Sequence, residues 1–365
     1  MLRDACYVKC LTTQHASRST NHPRNRHGKL LTVQNVSKIF GNEFGGGGLR
    51  KKDVTVAVDN VTFSIADDRP TITAIAGESG SGKSTLALLL MGQLPPSSGQ
   101  VFYRGKDLAH MRSDEKRLLT REVQPIYQDP YAAYNPFYRV DHVLQMPIKR
   151  FGLAQSKEEG RHLIEEAMEK VGLRPAETLG RFPHQLSGGQ KQRLMVARAL
   201  LCRPKVVMAD EPVSMVDASL RATILSSLRK LKQDFDISIL YITHDLTTAY
   251  QISENILIMY AGSVVEAGSV EQVIRNPKHP YTQLLVSSIP LPDKSKRWGG
   301  VEIEEVQNRK STGCKFAPRC PAVMEKCWSQ RPAYYTPDQE RAVACFLYDD
   351  QPTLSTPDVA QVFPA

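Results

Sequence analysis

The sequence predicts an α/β fold: a parallel sheet crossed by helices, joined to a small antiparallel β subdomain, a helical subdomain and a cysteine-bearing C-terminal extension. Three features carry that expectation. An apolar strand, Thr71 to Ala76, runs into a glycine-rich turn and then into a helical stretch, Ser84 to Met91. Later apolar runs, Val206 to Ala209, Ser238 to Ile242 and Ile256 to Tyr260, alternate with helical stretches at 218–234 and 246–252, the pattern of crossover connections. Ahead of both, Leu30 to Phe40 and Val54 to Ile65 alternate apolar with polar side chains, as half-buried antiparallel strands do.

Taken in order, the 365 residues suggest a main domain plus an extension. Residues 1–29 carry Arg3, Lys9, Arg18, Arg24, Arg26 and Lys29 against Asp4 alone and lack apolar periodicity. They read as a disordered basic tail, with no apolar stretch of the kind a secretory signal needs. Much of the formal net charge of +9 sits there rather than in a patterned patch, which points away from nucleic acid. Between the first two strands, Gly45 to Gly48 with Arg50, Lys51 and Lys52 form a flexible basic loop. Residues 113–185 read as a helical insertion, including Ser156 to Val171 with early acidic residues and Gly172 beyond its end. The main domain spans 30–289, the extension 290–348, and a Pro-rich tail at 349–365 is expected to be disordered. No apolar run approaches the roughly 18–20 residues of a membrane-spanning helix, so any membrane role comes through a partner.

Gly77-Glu78-Ser79-Gly80-Ser81-Gly82-Lys83-Ser84 fits the phosphate-loop pattern. Glycine lets successive backbone N–H groups turn inward around phosphate oxygens, and the helix start adds partial positive charge. Lys83 is placed to contact the β- and γ-phosphates, Ser84 to ligate Mg²⁺, and Thr85 to reach a nearby phosphate oxygen. Nucleotide phosphates and Mg²⁺ are therefore the expected ligands, with ATP the nucleotide that the resemblance below implies. A phosphate loop alone does not separate kinases, GTPases and motors.

Leu186-Ser187-Gly188-Gly189-Gln190, followed by a helical run from Lys191 to Leu201, makes that separation. With it the chain resembles the ABC ATPase family, whose signature this is. Ser187 and the glycine N–H groups lie at a helix N-terminus, a second anion site in the same chain. The resemblance implies that this site faces the γ-phosphate held by another subunit, so that a head-to-tail pair is required. It implies further roles. Asp210-Glu211, ending the apolar strand from Val206, matches the Walker B pattern, with Asp210 toward Mg²⁺ and Glu211 as general base. In isolation such a pair is more often simply solvated, and a lone His structural. His244, ending Ile239 to Thr243, matches the switch histidine that senses the γ-phosphate. Gln128, in Tyr127-Gln128-Asp129-Pro130, matches the loop glutamine that touches Mg²⁺ and water and links to the helical insertion. Asp217 matches the dimer-contacting loop, although Met215-Val216 stand where the family more often has Ala-Leu. Phe40 is the candidate for stacking on adenine, with a core position as the alternative.

Two segments narrow the branch. Asn276-Pro277-Lys278-His279-Pro280-Tyr281-Thr282 resembles the segment that follows the ATPase core in oligopeptide and dipeptide importers. Gly313 to Tyr348, above all Cys314-Lys315-Phe316-Ala317-Pro318-Arg319-Cys320-Pro321, resembles their C-terminal domain. The resemblance implies the ATP-hydrolysing motor of a prokaryotic peptide importer, peripheral on the cytoplasmic face of the inner membrane. Oligosaccharides and nickel chelates are alternative cargoes, and a non-transport ABC ATPase is the rival class. The implied partners are a second ATPase subunit, different rather than identical, two transmembrane permease subunits and an extracytoplasmic substrate-binding protein, with no nucleic acid. In the family the pattern of Cys314, Cys320, Cys327 and Cys345 can hold a four-iron four-sulfur (4Fe-4S) cluster. Their spacing matches neither the ferredoxin run nor paired zinc ribbons, so an iron–sulfur cluster, tetrahedral zinc and unmetallated or disulfide-linked thiols all stay open.

Overall fold

The alternating pattern of the first two strands closes into a real hairpin sheet. In the computed structural model, which describes residues 28–41, 54–129, 134–214, 216–289 and 311–364, β1 (Lys29–Phe40) pairs antiparallel with β2 (Thr55–Ala66). β4 (Ser98–Tyr103) pairs with the other edge of β1, and the short β5 (Lys106–Asp107) completes a four-stranded sheet. Val33, Val36, Val58 and Val61 on its inner face are fully buried. The basic loop at 45–52, residues 1–27 with Cys6 and Cys10, and the linker at 290–310 lie outside the described residues.

The second sheet positions the site. β3 (Ile72–Ala76), β6 (Val123–Ile126), β7 (Val206–Asp210), β8 (Ser238–Thr243) and β9 (Asn255–Tyr260) run parallel, while β10 (Ser263–Ser269) and β11 (Arg341–Val343) extend it antiparallel. The order is β11-β10-β9-β3-β8-β7-β6. Every residue of β3 and β8 is buried, as expected of strands covered on both faces. The carboxyl ends of β3, β6, β7 and β8 therefore open onto one edge, where ligands of open α/β sheets bind.

The helices explain one correction. After α1 (Lys83–Leu90), α2 (Ser113–Glu122) leads directly into β6, an edge strand of the main sheet. The helical insertion thus starts beyond β6 rather than at residue 113. Val123-Gln124-Pro125-Ile126 is too short to show a period, and its proline is tolerated because β6 pairs only with β7. The insertion itself comprises α3 (Asp141–Phe151) and α4 (Lys157–Lys170), both packed on α6 (Gly188–Leu201), and the single turn α5 (Pro175–Thr178) against α4. α4 begins as its sequence indicates, with the Ser156 hydroxyl accepting from Glu159 N. α7 (Ala218–Phe235) and α8 (Leu246–Ile252) are the crossover helices.

The extension is not a separate body. α9 (Val270–Arg275) and α10 (Pro280–Ser287) lead toward it, α11 (Glu325–Ser329) lies within it, and β11 joins it to the main sheet. The tail expected to be disordered is also folded onto the protein. Leu354 N donates to Tyr334 O at 2.8 Å, Val359 is fully buried and Val362 is 5% exposed. These valines sit three apart on a 3₁₀ turn, which places both on one face; two apolar anchors among prolines are too sparse a pattern to stand out in the sequence. Among the described residues no helix is long and apolar enough to cross a membrane.

Candidate nucleotide site

The phosphate loop leaves β3 through backbone that only glycine tolerates. Gly77 has φ +152°, and a Cβ there would lie 2.2 Å from Met259 O; Gly82, at φ +101°, caps α1, and its Cβ would lie 2.0 Å from Ala57 O. Ser79 and Gly80 at the loop's tip are exposed, Ser81 is buried and Thr85 is half-buried. Lys83 is 5% exposed and donates to Gly77 O at 2.8 Å, Glu78 O at 2.7 Å and Ser81 Oγ at 3.3 Å. Burial pushes its ammonium pKa down, against the pull of Glu211, Asp210 and Glu78. The Ser84 hydroxyl donates to Asp210 Oδ1 at 3.3 Å, and burial raises the Asp210 carboxyl above its usual range. A hydroxyl and a carboxylate side by side, the latter short of compensating charge, are donors that suit a small hard cation.

Three strand ends then converge on one carboxylate. Gln128, just beyond β6, donates through Nε2 to Glu211 Oε2 at 2.8 Å, and His244 Nδ1, just beyond β8, lies 2.8 Å from Glu211 Oε1. Glu211 itself follows β7 at φ +43°, a strained conformation for a side-chain-bearing residue, and its N–H donates to Ile242 O at 2.9 Å. The structure thus joins Lys83, Ser84, Asp210, Glu211, Gln128 and His244 in one cluster at the carboxyl ends of β3, β6, β7 and β8.

The signature stands apart from that cluster. Ser187 is the N-cap of α6, accepting from Gln190 N at 3.2 Å while its own N–H donates to Gln190 Oε1 at 2.9 Å, a capping box. Leu186 and Gly189 are buried, whereas Ser187 is exposed and Gly188 and Gln190 are partly so. This leaves the helix tip open to an anion from outside. Asp217 is exposed at the start of α7, its carbonyl accepting from Arg221 N. Phe40 is 43% exposed with Lys38 Nζ 5.4 Å from its ring centroid, so the core alternative falls away.

Two residues that the sequence did not single out touch the phosphate loop. Glu78 N donates to the Tyr281 hydroxyl at 2.9 Å, and the Glu78 carboxylate accepts two bonds from the Arg319 guanidinium, at 3.0 and 3.1 Å. In the sequence Tyr281 and Arg319 belong only to the family-like segments, and no periodicity or spacing signals a contact across that sequence distance.

The fold brings the four late cysteines together. Cys314, Cys320, Cys327 and Cys345 line one small cavity with His279, Phe316 and Phe346, and all four are free thiols. Burial, reinforced by the neighbouring thiols, pushes Cys314 up to about 11 and Cys345 to about 12. Among the described residues no group of three or more His, Cys, Asp or Glu side chains is arranged to hold a metal ion. The iron–sulfur and zinc expectations thus find no support in this geometry, and no chemistry is assigned through them.

Comparison with known proteins gives the same reading. The ABC transporter family matches residues 58–214, and the C-terminal region of oligopeptide/dipeptide transporters matches residues 265–327. A probable peptide ABC transporter ATP-binding protein of Sinorhizobium fredii is 37% identical over 323 residues, covering 87% of this chain and 90% of that protein. The oligopeptide transport ATP-binding protein OppF of Escherichia coli is 38% identical over 281 residues, covering 76% and 83%. Among solved structures, a dimeric ATP-binding cassette in a post-hydrolysis state with ADP and Pi superposes with a TM-score of 0.57 at 26% identity, covering 66% of this chain and 98% of that one. With the phosphate loop, signature and acidic strand end in place on this fold, the chain belongs to the ATP-hydrolysing subunits of ABC transporters, in the branch that carries the oligopeptide/dipeptide transporter C-terminal region.

Proposed function

We propose that this chain drives a peptide importer: ATP held between its phosphate loop and the signature of a second ATPase subunit closes the pair, and hydrolysis lets them part. ATP then favours the closed pair because it binds that state more tightly. The observation that carries the reading is the Glu211 carboxylate, placed 2.8 Å from both Gln128 and His244 beside the loop. Glu211 polarises the attacking water as general base, Gln128 orients water and links to the helical insertion, and His244 senses the γ-phosphate. Lys83, Thr85 and the loop's backbone N–H groups bind the phosphates. Ser84, Asp210 and Gln128 would hold Mg²⁺, which when bound offsets phosphate charge. Phe40 stacks on adenine.

The signature, Leu186 to Gln190, acts on the partner's nucleotide, with Asp217 at the contact; the outward-facing helix tip and the dimeric cassette among its structural neighbours support this. A different second subunit is favoured over an identical one. Beside Gln128, a groove walled by Tyr127, Tyr134, Tyr138, Arg139, Met146 and Arg150 runs between the main sheet and the insertion, and Phe137 at its rim is 86% exposed. A permease segment seated there would feel the motion of Gln128. Two permeases and an extracytoplasmic binding protein complete the assembly, with this chain peripheral on the cytoplasmic face of the membrane. Peptide as cargo rests on the names of the relatives. The cysteines brace the extension, and an iron and labile-sulfide assay on anaerobically purified full chain tests whether they also take a cluster.

The test is uptake in cells carrying Lys83→Ala. Loss of labelled peptide uptake with sugar and nickel uptake intact is expected; the reverse pattern reassigns the cargo. A cysteine at Ser79 of this chain should crosslink, in the presence of ATP, to one placed at the signature serine of the second ATPase subunit, and failure of that pair to crosslink would remove the shared site.

A further inference from the structure

We propose that Arg319 is a positioning residue for the phosphate loop, holding Glu78 from the C-terminal extension so that the loop is set for ATP before ATP arrives. The inference rests on the nucleotide-site reading above and adds the extension to that site.

Every polar group of Glu78 is committed. Its N–H donates to the Tyr281 hydroxyl at 2.9 Å, its carbonyl accepts from Lys83 Nζ at 2.7 Å, and its carboxylate takes the two parallel Arg319 bonds at 3.0 and 3.1 Å. Glu78, where the chain enters the loop, is therefore held through its N–H, its carbonyl and its side chain, with Tyr281 and Arg319 reaching it from beyond the ATPase core. A bidentate guanidinium–carboxylate pair fixes direction as well as distance. Glu78 is also an awkward charge in a loop that must receive a triphosphate, and Arg319 offsets it by direct bonds to the carboxylate, whereas Lys83 bonds the Glu78 carbonyl.

Arg319 is itself held in place. Its guanidinium lies 5.8 Å from the Tyr260 ring centroid and 5.7 Å from that of Phe316. Tyr260, Tyr281 and Phe316 pack on one another, with centroids 4.6 to 5.5 Å apart. Phe316 is 1% exposed and also lines the cavity of the four cysteines. Lys315, next to it, donates to Ala261 O at 2.6 Å and pairs with Asp59 at 2.8 Å, tying the same turn to the β subdomain. The clamp is thus the working tip of a braced element, and the thiol-lined cavity lies directly behind it.

Side chains of Arg319 and Glu78 remain 31% and 40% exposed, so solvent screens the pair and the effect is bounded. In the complex assembled with its second ATPase subunit, Arg319→Gln should raise KM for ATP, and weaken binding of a fluorescent ATP analogue, by about three- to tenfold, with kcat within about twofold. Arg319→Lys, which keeps charge and stem, should recover part of the loss. In a Glu78→Gln background, Arg319→Gln should add nothing, because its partner charge is gone. Unchanged KM in Arg319→Gln, or effects of the two substitutions that multiply, would overturn the clamp. Thermal unfolding of each variant separates loss of the clamp from loss of the fold, and Arg319→Lys reads the clamp even where Arg319→Gln is unstable. Lys83→Ala is the control: if it binds nucleotide as well as the parent chain does, the site reading has failed rather than the clamp.

Discussion

At the carboxyl end of β7 a carboxylate, an amide and an imidazole meet at 2.8 Å with solvent beside them; toward the opposite edge of the same sheet, Glu266 and Arg341 pair where neither side chain is more than 1% exposed. Both clusters centre on a glutamate, yet their bonding differs. Glu211 spends one bond on each oxygen, sits at φ +43°, and faces a histidine whose side chain is 57% exposed. Glu266 accepts from Lys278 N at 3.0 Å, His279 N at 2.9 Å and Arg341 at 3.3 Å, while Arg341 also donates to Gln272 O at 3.0 Å and to Asn276 O. A carboxylate with spare lone pairs can still accept a further hydrogen bond, as from a water. One whose lone pairs are filled can only hold parts together. Bonding capacity left over, more than burial or charge, separates the chemical cluster from the architectural one.

The widest gap between the two should appear on removing the glutamate's charge. Glu211→Gln keeps the shape and both neighbours but loses the base, so phosphate release should fall by about 10²–10⁴-fold while ATP binding persists. A variant turning over at the parent rate would place Glu211 with the architectural cluster. Arg341→Met is the mirror experiment. It strands a buried carboxylate, so stability should drop by about 3–5 kcal/mol, read as a lower unfolding midpoint in urea. Replacing both partners by apolar residues should restore much of that, since the stranded charge, not the missing pair, is the cost.

His279 sharpens the comparison next, because it belongs to the saturated cluster and still titrates. Burial drives its imidazole pKa down from 6.5 to about 3, and Nδ1 accepts from Tyr281 N at 3.0 Å as the cap of α10. The unfolded chain takes up a proton below about 6.5 and the folded chain does not until near 3. The stabilisation is therefore complete above about 6.5 and is lost as pH falls toward 3. At pH 5 the loss amounts to about 2 kcal/mol at about 1.36 kcal/mol per unit. His279→Asn keeps a capping oxygen without the proton, so its unfolding midpoint should vary less between pH 7 and 5 than that of the parent chain. Parallel curves would exclude His279 as the source.

Legibility followed the same division. The phosphate loop and the signature are local strings whose spacing is their geometry, so Gly77 to Ser84 and Ser187 to Gln190 could be read directly. Gln128, Glu211 and His244 follow three different strands, and only family resemblance suggested that they act together; nothing in their spacing encodes a meeting at 2.8 Å. Arg319 and Glu78 are harder still, because a contact across 241 positions has no periodicity and an arginine beside Cys320 looks like any surface charge. β6 was hidden by Pro125 in four residues, and the cysteine spacing left its use open, as does the cavity they line. The buried pair of Glu266 and Arg341 left no trace either, since charged residues are read as exposed until a partner is seen.

Asp358 tests the weakest kind of charged contact, and with it the ordering of the tail. Its Oδ2 accepts from Ser64 Oγ at 2.6 Å and pairs with Lys29, while Oδ1 accepts from Ala360 N at 3.1 Å. Lys29 is 54% exposed, so that pair is largely screened, and the turn cap and the Ser64 bond supply most of the effect. Asp358→Ala should cost about 1 kcal/mol and speed proteolytic loss of the segment beyond Pro352, with ATP turnover unchanged. Unaltered proteolysis would mean that Val359 and Val362 hold the tail by apolar contact alone. In that case the carboxylate belongs to neither cluster: it has partners, but nothing depends on them.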